Sequence, residues 1–217
     1  MGNKSVPFVH FEDRRDAGMR LAKALARYDS EDAIIYALPR GGVVLGDEVA
    51  KQLELPLALI IPRKIGHPEN PEYAICAVTE EGELVCNEEE ASTFDPVWLK
   101  GAAHRERKEA MRRRATYGGA RLPATGKIAI IVDDGIATGL TMRAAIRSLR
   151  KELPSEVIVA APIAPHDVVE YLRGEADDVV VLDDSEPFLG AIGAYYDSFP
   201  QVSDEEVIEI MRGRPSL

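Results

Sequence analysis

Between residues 130 and 141 the chain reads Ile-Ile-Val-Asp-Asp-Gly-Ile-Ala-Thr-Gly-Leu-Thr. An apolar strand here delivers two adjacent carboxylates, Asp133 and Asp134, to its C-terminal end. A short loop of small and hydroxyl residues follows. Then Met142, Ala145, Ile146, Leu149 and Leu153 fall on one helical stripe. A strand, an acidic turn and a helix in this order fit one arrangement well. That arrangement is a parallel sheet whose strand ends open onto a ligand crevice.

The rest of the chain repeats the pattern. Ala33–Leu38, Leu57–Ile61, Lys127–Val132, Val157–Ala161 and Val179–Leu182 are short apolar runs. Helical spacing separates several of them, with Leu45, Val49, Ala50 and Leu53 on one face and a further helix predicted between Pro165 and Arg173. Near-continuous apolar strands alternating with amphipathic helices predict a doubly wound α/β fold, with a mainly parallel five-stranded sheet covered on both faces. Three pieces stand outside the repeat. Arg14–Tyr28 reads as an N-terminal helix. Tyr73–Thr79 and Glu83–Asn87 flank Glu80-Glu81-Gly82 and predict a hairpin. Ser203 with Glu206 three residues later forms a capping box that starts a last helix.

Composition sets limits on function. No run of eighteen apolar residues exists, so no membrane-spanning helix is expected. Met1-Gly2-Asn3-Lys4-Ser5-Val6 lacks an apolar signal core, and Val6 breaks the myristoylation pattern. Cys76 and Cys86 are too few for a disulfide framework and lack metal-ligand spacing. A cytoplasmic protein with two reduced, buried thiols is the expectation. The net charge of −11 is localised, since residues 175–209 hold eleven Asp or Glu and no Lys or Arg. Lys100–Arg121 carries eight basic and two acidic residues, including Arg112-Arg113-Arg114. Such a run serves as a nucleic-acid patch, a solvated helix face or a subunit contact. The overall negative charge disfavours nucleic acid and leaves a homodimer contact open.

The free amides at the start of the helix after residue 139 favour a phosphate, and the two acids suit sugar hydroxyls or a hydrated Mg²⁺. Together they describe a site for a ribose 5-phosphate. An acidic pair after an apolar strand also opens receiver domains and some phosphatases. The twelve-residue string as a whole resembles the phosphoribosyl-pyrophosphate signature of type I phosphoribosyltransferases. Gly135 departs from that pattern, which usually has an aliphatic residue there. Leu38-Pro39-Arg40-Gly41-Gly42 resembles the family's pyrophosphate loop, and Pro62–Pro71 falls where the family carries a mobile loop. Segments 11–18 and 188–207 resemble a poorly characterised branch of the family.

The resemblance implies a single domain with its core at about 30–182. A small hood, from about 1–15 and 183–217, would recognise the base. It implies Mg²⁺-dependent transfer of a 5-phosphoribosyl group from phosphoribosyl pyrophosphate to a nitrogenous base. Ala137, Thr138, Gly139, Leu140 and Thr141 would grip the 5-phosphate, and Arg40, Gly41 and Gly42 the pyrophosphate. Asp133 and Asp134 would hold the ribose hydroxyls and, through water, the metal. Arg63 and Lys64 would close over the leaving group. Asp183, Phe188 and Tyr195 are the candidate base contacts, with Asp184, Tyr196 and Phe199 beside them. The alternative is a non-catalytic sensor of phosphoribosyl pyrophosphate or a nucleotide. Ala137 replaces the Asp common in the hypoxanthine-guanine branch, which weakens a 6-oxopurine acceptor.

Overall fold

The structure is a computed structural model and describes residues 9–119, 121–184 and 186–213. The signal and acylation readings on residues 1–6, the first residues of the expected hood and its last four lie outside the described residues.

In chain order the elements are α1 (Arg14–Ala24), β1 (Ala33–Ala37), α2 (Gly41–Gln52), β2 (Leu57–Leu59), β3 (Pro62–His67), β4 (Asn70–Thr79), β5 (Leu84–Cys86) and α3 (Glu88–Ala91). Then follow α4 (Pro96–Tyr117), β6 (Ile128–Val132), α5 (Leu140–Arg150), β7 (Glu156–Ile163), α6 (His166–Arg173), β8 (Asp178–Asp183) and α7 (Asp204–Arg212). The main sheet has five parallel strands in the order β2-β1-β6-β7-β8. Its strands are apolar on both sides because both faces are covered. Ile35, Ala37, Ile130, Val132, Ile158 and Ala160 face α1, α2 and α7. Their neighbours Ile34, Tyr36, Ala129, Ile131, Val157 and Val159 face α5 and α6. Fully burying an Ile or Val side chain stabilises by about 1.5–3 kcal/mol, so this alternation holds the register. From β1 the chain moves to one side, to β2, and later returns to the other side, to β6. The ends of β1 and β6 therefore flank the switch point where doubly wound sheets bind ligands.

A second sheet, β3-β4-β5, is antiparallel. The expected hairpin is its β4–β5 pair. Residues 62–71, expected as a loop, are instead mostly strand. Pro62 starts β3, Ile65 is buried, and the pairing with β4 shifts register on either side of Gly66. A Cβ on Gly66 would lie 2.2 Å from the Pro71 carbonyl oxygen. The bulge therefore needs glycine, and Pro and Gly together hide the two-residue period from the sequence. Trp98 on α4 stacks on Phe94, and both pack against this sheet with Ile65, Ile75 and Val78.

The cysteines correct the expectation of reduced thiols. Cys76 and Cys86 are disulfide-bonded, ten residues apart. The β4–β5 register sets them directly opposite each other, a proximity that spacing alone does not reveal. Closing a loop of this size is worth about 2–3 kcal/mol in the chain-entropy account. Cys86→Ser should therefore lower the unfolding free energy by about that amount in chemical denaturation without reductant. An unchanged midpoint would show that the bond adds nothing.

The last helix begins as its capping box predicts, with the Ser203 hydroxyl accepting from the Glu206 amide. The basic stretch is largely satisfied within the chain. Arg112 and Arg113 pair with Glu109 on α4 itself, Arg114 with Glu80, and Arg121 with Glu81 and Glu152. The Tyr117 hydroxyl donates to Asp204 at the start of α7. Among the described residues no helix is long and apolar enough to cross a membrane.

Candidate active site

The loops after β1 and β6 meet at the switch point. The Leu38 amide donates to the Val132 carbonyl at 2.9 Å, which ties the two strand ends together. The Pro39–Arg40 peptide is cis. Gly41 and Gly42 then begin α2 in contact with the acidic pair. A Cβ on Gly41 would fall 1.8 Å from Asp134 Oδ2. One on Gly42 would fall 2.7 Å from the Val132 oxygen and 2.9 Å from Asp133 Cα. These glycines are required by close backbone approach.

Asp133 Oδ1 accepts from the Asp134 amide at 2.9 Å. Burial pushes the Asp133 carboxyl well above the usual carboxylate range, and the charge on Asp134 pushes it further. Burial also raises Asp134, against the pull of the Arg14 guanidinium. Arg14 Nε donates to Asp134 Oδ2 at 2.7 Å. The Tyr196 hydroxyl donates to the Asp134 carbonyl at 2.7 Å, and burial with the charge on Asp134 raises its pKa, so it keeps its proton.

The loop continues through Gly135 and Ile136 to exposed Ala137 and Thr138. Gly139 adopts φ +75 and leads into α5, where it supplies no side-chain cap. The first α5 hydrogen bond runs from Arg143 N to the Gly139 carbonyl. The amides before it have no partner within the helix and are suited to an anion. Leu140 turns inward against Ala77, Val85 and Ala144, and Thr141 is half-buried. Gly135, the departure from the family string, has a structural reason. A Cβ there would lie 2.3 Å from Ile192 Cγ2 in the hood.

The structure thus brings together Arg40, Gly41, Gly42, Asp133, Asp134 and the 137–141 loop. Arg40 is 3.5 Å from Asp204 on α7. Arg63 and Lys64 sit on the second sheet. The Arg63 guanidinium is turned to Glu106 on α4, at 2.9 Å, and Lys64 is exposed. In the hood, Tyr195 is 2% exposed, stacks on half-buried Phe188 and accepts from the Leu189 amide through its hydroxyl. Asp183 is buried and accepts from the Val9 amide, and Asp184 meets the His166 ring. Phe11 and Tyr196 join the two parts of the hood, the N-terminal segment and the stretch after Asp183, by an isolated bridge. Arg14 is the site residue that sequence reasoning missed, 120 positions from its partner.

A parallel sheet with this switch-point loop, acidic pair and uncapped α5 start defines a phosphoribosyltransferase-type domain, and the phosphoribosyl transferase domain model matches residues 11–197. The chain belongs to that family. Two Mycobacterium tuberculosis relatives, one from each of two strains and both named only provisionally as phosphoribosyl transferases, are 41% identical over 208 residues. That match takes in 93% of this chain and 46% of theirs, so the chain spans about half the length of those relatives. The crystal structure of TT1426 from Thermus thermophilus is 40% identical, with a TM-score of 0.81, over 96% of this chain and 100% of that one.

Proposed function

We propose that the protein transfers a 5-phosphoribosyl group from phosphoribosyl pyrophosphate to a nitrogenous base and that the transfer depends on Mg²⁺. The observation that carries this reading is the contact of Gly41 and Gly42 with Asp133 and Asp134, beside an uncapped α5 terminus. One crevice thus offers amides for two phosphate groups and carboxylates for a diol between them. The C1–oxygen bond to pyrophosphate breaks, the C1–nitrogen bond forms, and the proton on the attacking nitrogen leaves to solvent or pyrophosphate.

The α5 terminus and residues Ala137–Thr141 hold the 5-phosphate. The acidic pair accepts from the ribose hydroxyls, Asp133 directly and Asp134 through the oxygen not taken by Arg14 or by holding the loop, and faces the positive charge that develops at C1. Arg40 and the Gly41–Gly42 backbone take the leaving pyrophosphate. The β3–β4 hairpin, with Arg63 and Lys64, closes over the crevice and excludes water that would hydrolyse the donor. The half-buried Phe188 ring, backed by Tyr195, is the proposed base contact, with Asp183 the proposed acceptor. The adjacent half-buried carboxylates of Asp133 and Asp134, the charge on Asp134 raising the pKa of Asp133, suit a divalent cation. That fits Mg²⁺, which takes its remaining ligands from water and substrate phosphates and would neutralise pyrophosphate charge. We place the protein in the cytoplasm on the family reading, where the Cys76–Cys86 disulfide is an exception to the reduced thiols usual there.

Pyrophosphate release from phosphoribosyl pyrophosphate with Mg²⁺, measured across a panel of purine and pyrimidine bases, is the test. Release dependent on one class of base is the expected outcome. Tight donor binding with no release for any base would instead establish a non-catalytic sensor.

A further inference from the structure

Arg14 is the first residue of α1, where the helix dipole disfavours a cation. The helix does not use its side chain, since the Asp13 carboxylate already caps the Arg15 and Asp16 amides. Yet Arg14 is 8% exposed. A buried guanidinium in an unfavourable field is held by its partners, and here they come from separate parts of the chain. Nε donates to Asp134 Oδ2 at 2.7 Å. Nη1 donates to the Pro200 carbonyl at 2.6 Å. The guanidinium carbon lies 3.6 Å from the centroid of the Phe199 ring. Gly41 makes room for this junction, because a Cβ there would come within 3.0 Å of Arg14 Nε as well as striking Asp134. Tyr196, three residues before Phe199, bonds the Asp134 backbone from the same side.

We propose that Arg14 is a positioning residue that makes seating of the hood and formation of the donor site a single event. The acidic pair is then unequal. Asp134 is committed to Arg14 and the hood, and Asp133 is the acid that meets the ribose diol. Donor affinity depends on hood residues that never touch the donor. This rests on the proposed function only for the identity of the donor. The link between hood and acidic pair is a property of the fold.

The experiment pairs calorimetric titration of phosphoribosyl pyrophosphate, with Mg²⁺, with hydrogen exchange at the Asp197 and Ser198 amides. Those amides bond the Phe11 and Glu12 carbonyls and report how the C-terminal part of the hood seats on the segment that leads into Arg14. Arg14→Ala should weaken donor binding about tenfold, within the usual range for coupled sites, and speed exchange at both amides. Phe199→Leu, which leaves the acids and glycines intact, should shift both readouts in the same direction. Arg14→Lys keeps a charge for Asp134 but not the fork and stack, so it should restore donor binding more than exchange protection. By reciprocity, donor added to the wild type should slow exchange at Asp197 and Ser198. Donor affinity within about twofold of wild type in Arg14→Ala and Phe199→Leu, with unchanged exchange, would overturn the proposal. Should the wild type bind no donor, the functional reading fails by itself. Asp134→Asn still tests the link through exchange alone, with faster exchange expected and wild-type exchange counting against it.

Discussion

Gly42→Ala should reduce phosphoribosyl transfer by about a hundredfold or more. The new methyl would meet backbone on both counts, the Val132 oxygen at 2.7 Å and Asp133 Cα at 2.9 Å. Neither can rotate away, so α2 and the end of β6 must move apart. A misplacement of about 1 Å between reacting groups costs on the order of a hundredfold in rate. The same overpacking should lower stability by about 1–3 kcal/mol. Gly41→Ala makes a useful contrast, because its obstacle is the Asp134 carboxylate, a side chain that turns only by releasing Arg14. Pyrophosphate release and chemical denaturation check both variants. Wild-type transfer in Gly42→Ala would mean that the glycine contact is not part of the working site.

The second large effect is at Asp133. On the proposed reading, Asp133→Asn removes the carboxylate that would face the developing cation once donor and Mg²⁺ draw off its proton, and transfer should fall about a hundredfold. Its stability should move the other way. Burial and Asp134 raise the folded-state pKa of Asp133 above its unfolded value. Below the unfolded value, about 3.9, both states hold the proton and the residue costs nothing. As pH rises through the raised range, the unfolded chain ionises freely and the folded chain resists, so stability is lost. Asn carries no charge in either state. Thermal unfolding at pH 7 should therefore occur at a higher temperature in Asp133→Asn, with the difference disappearing below about pH 4. A variant that is both inactive and less stable at pH 7 would contradict the buried-charge account. Stability gained by relaxing a functional group at the expense of activity is a familiar trade-off.

Features decided over a few residues could be read directly from the chain. The five apolar strands, the β4–β5 hairpin and the Ser203 cap of α7 depend on local period or a three-residue spacing. The acidic pair and glycine loop were legible for the same reason, since each is one unbroken string. What failed depended on pairing across distance. The disulfide needs the β4–β5 register, and the Arg14 contact needs two segments 120 residues apart to fold together. Gly135 looked like a deviation until Ile192 of the hood filled the space beside it. The basic run 100–121 left three readings open because charge composition does not show who the partners are. Those paired are met by acids on the same helix or on the turns after β4 and α5.

The position of α5 limits how this chain can vary. Its first turn carries the uncapped amides proposed to hold the 5-phosphate. Met142, Ala145, Ile146 and Leu149 serve the main sheet, and Leu140 and Ala144 serve the antiparallel one. Arg143 and Arg147 reach Glu175, and Arg150 reaches Asp177. Nearly every face of the helix is therefore spoken for. Sequence drift has little neutral ground on α5 and far more on α4, where Val97 and Met111 stand in solvent. The uncapped turn thus rests on an axle shared by two sheets, so a change in the packing of either one reaches it.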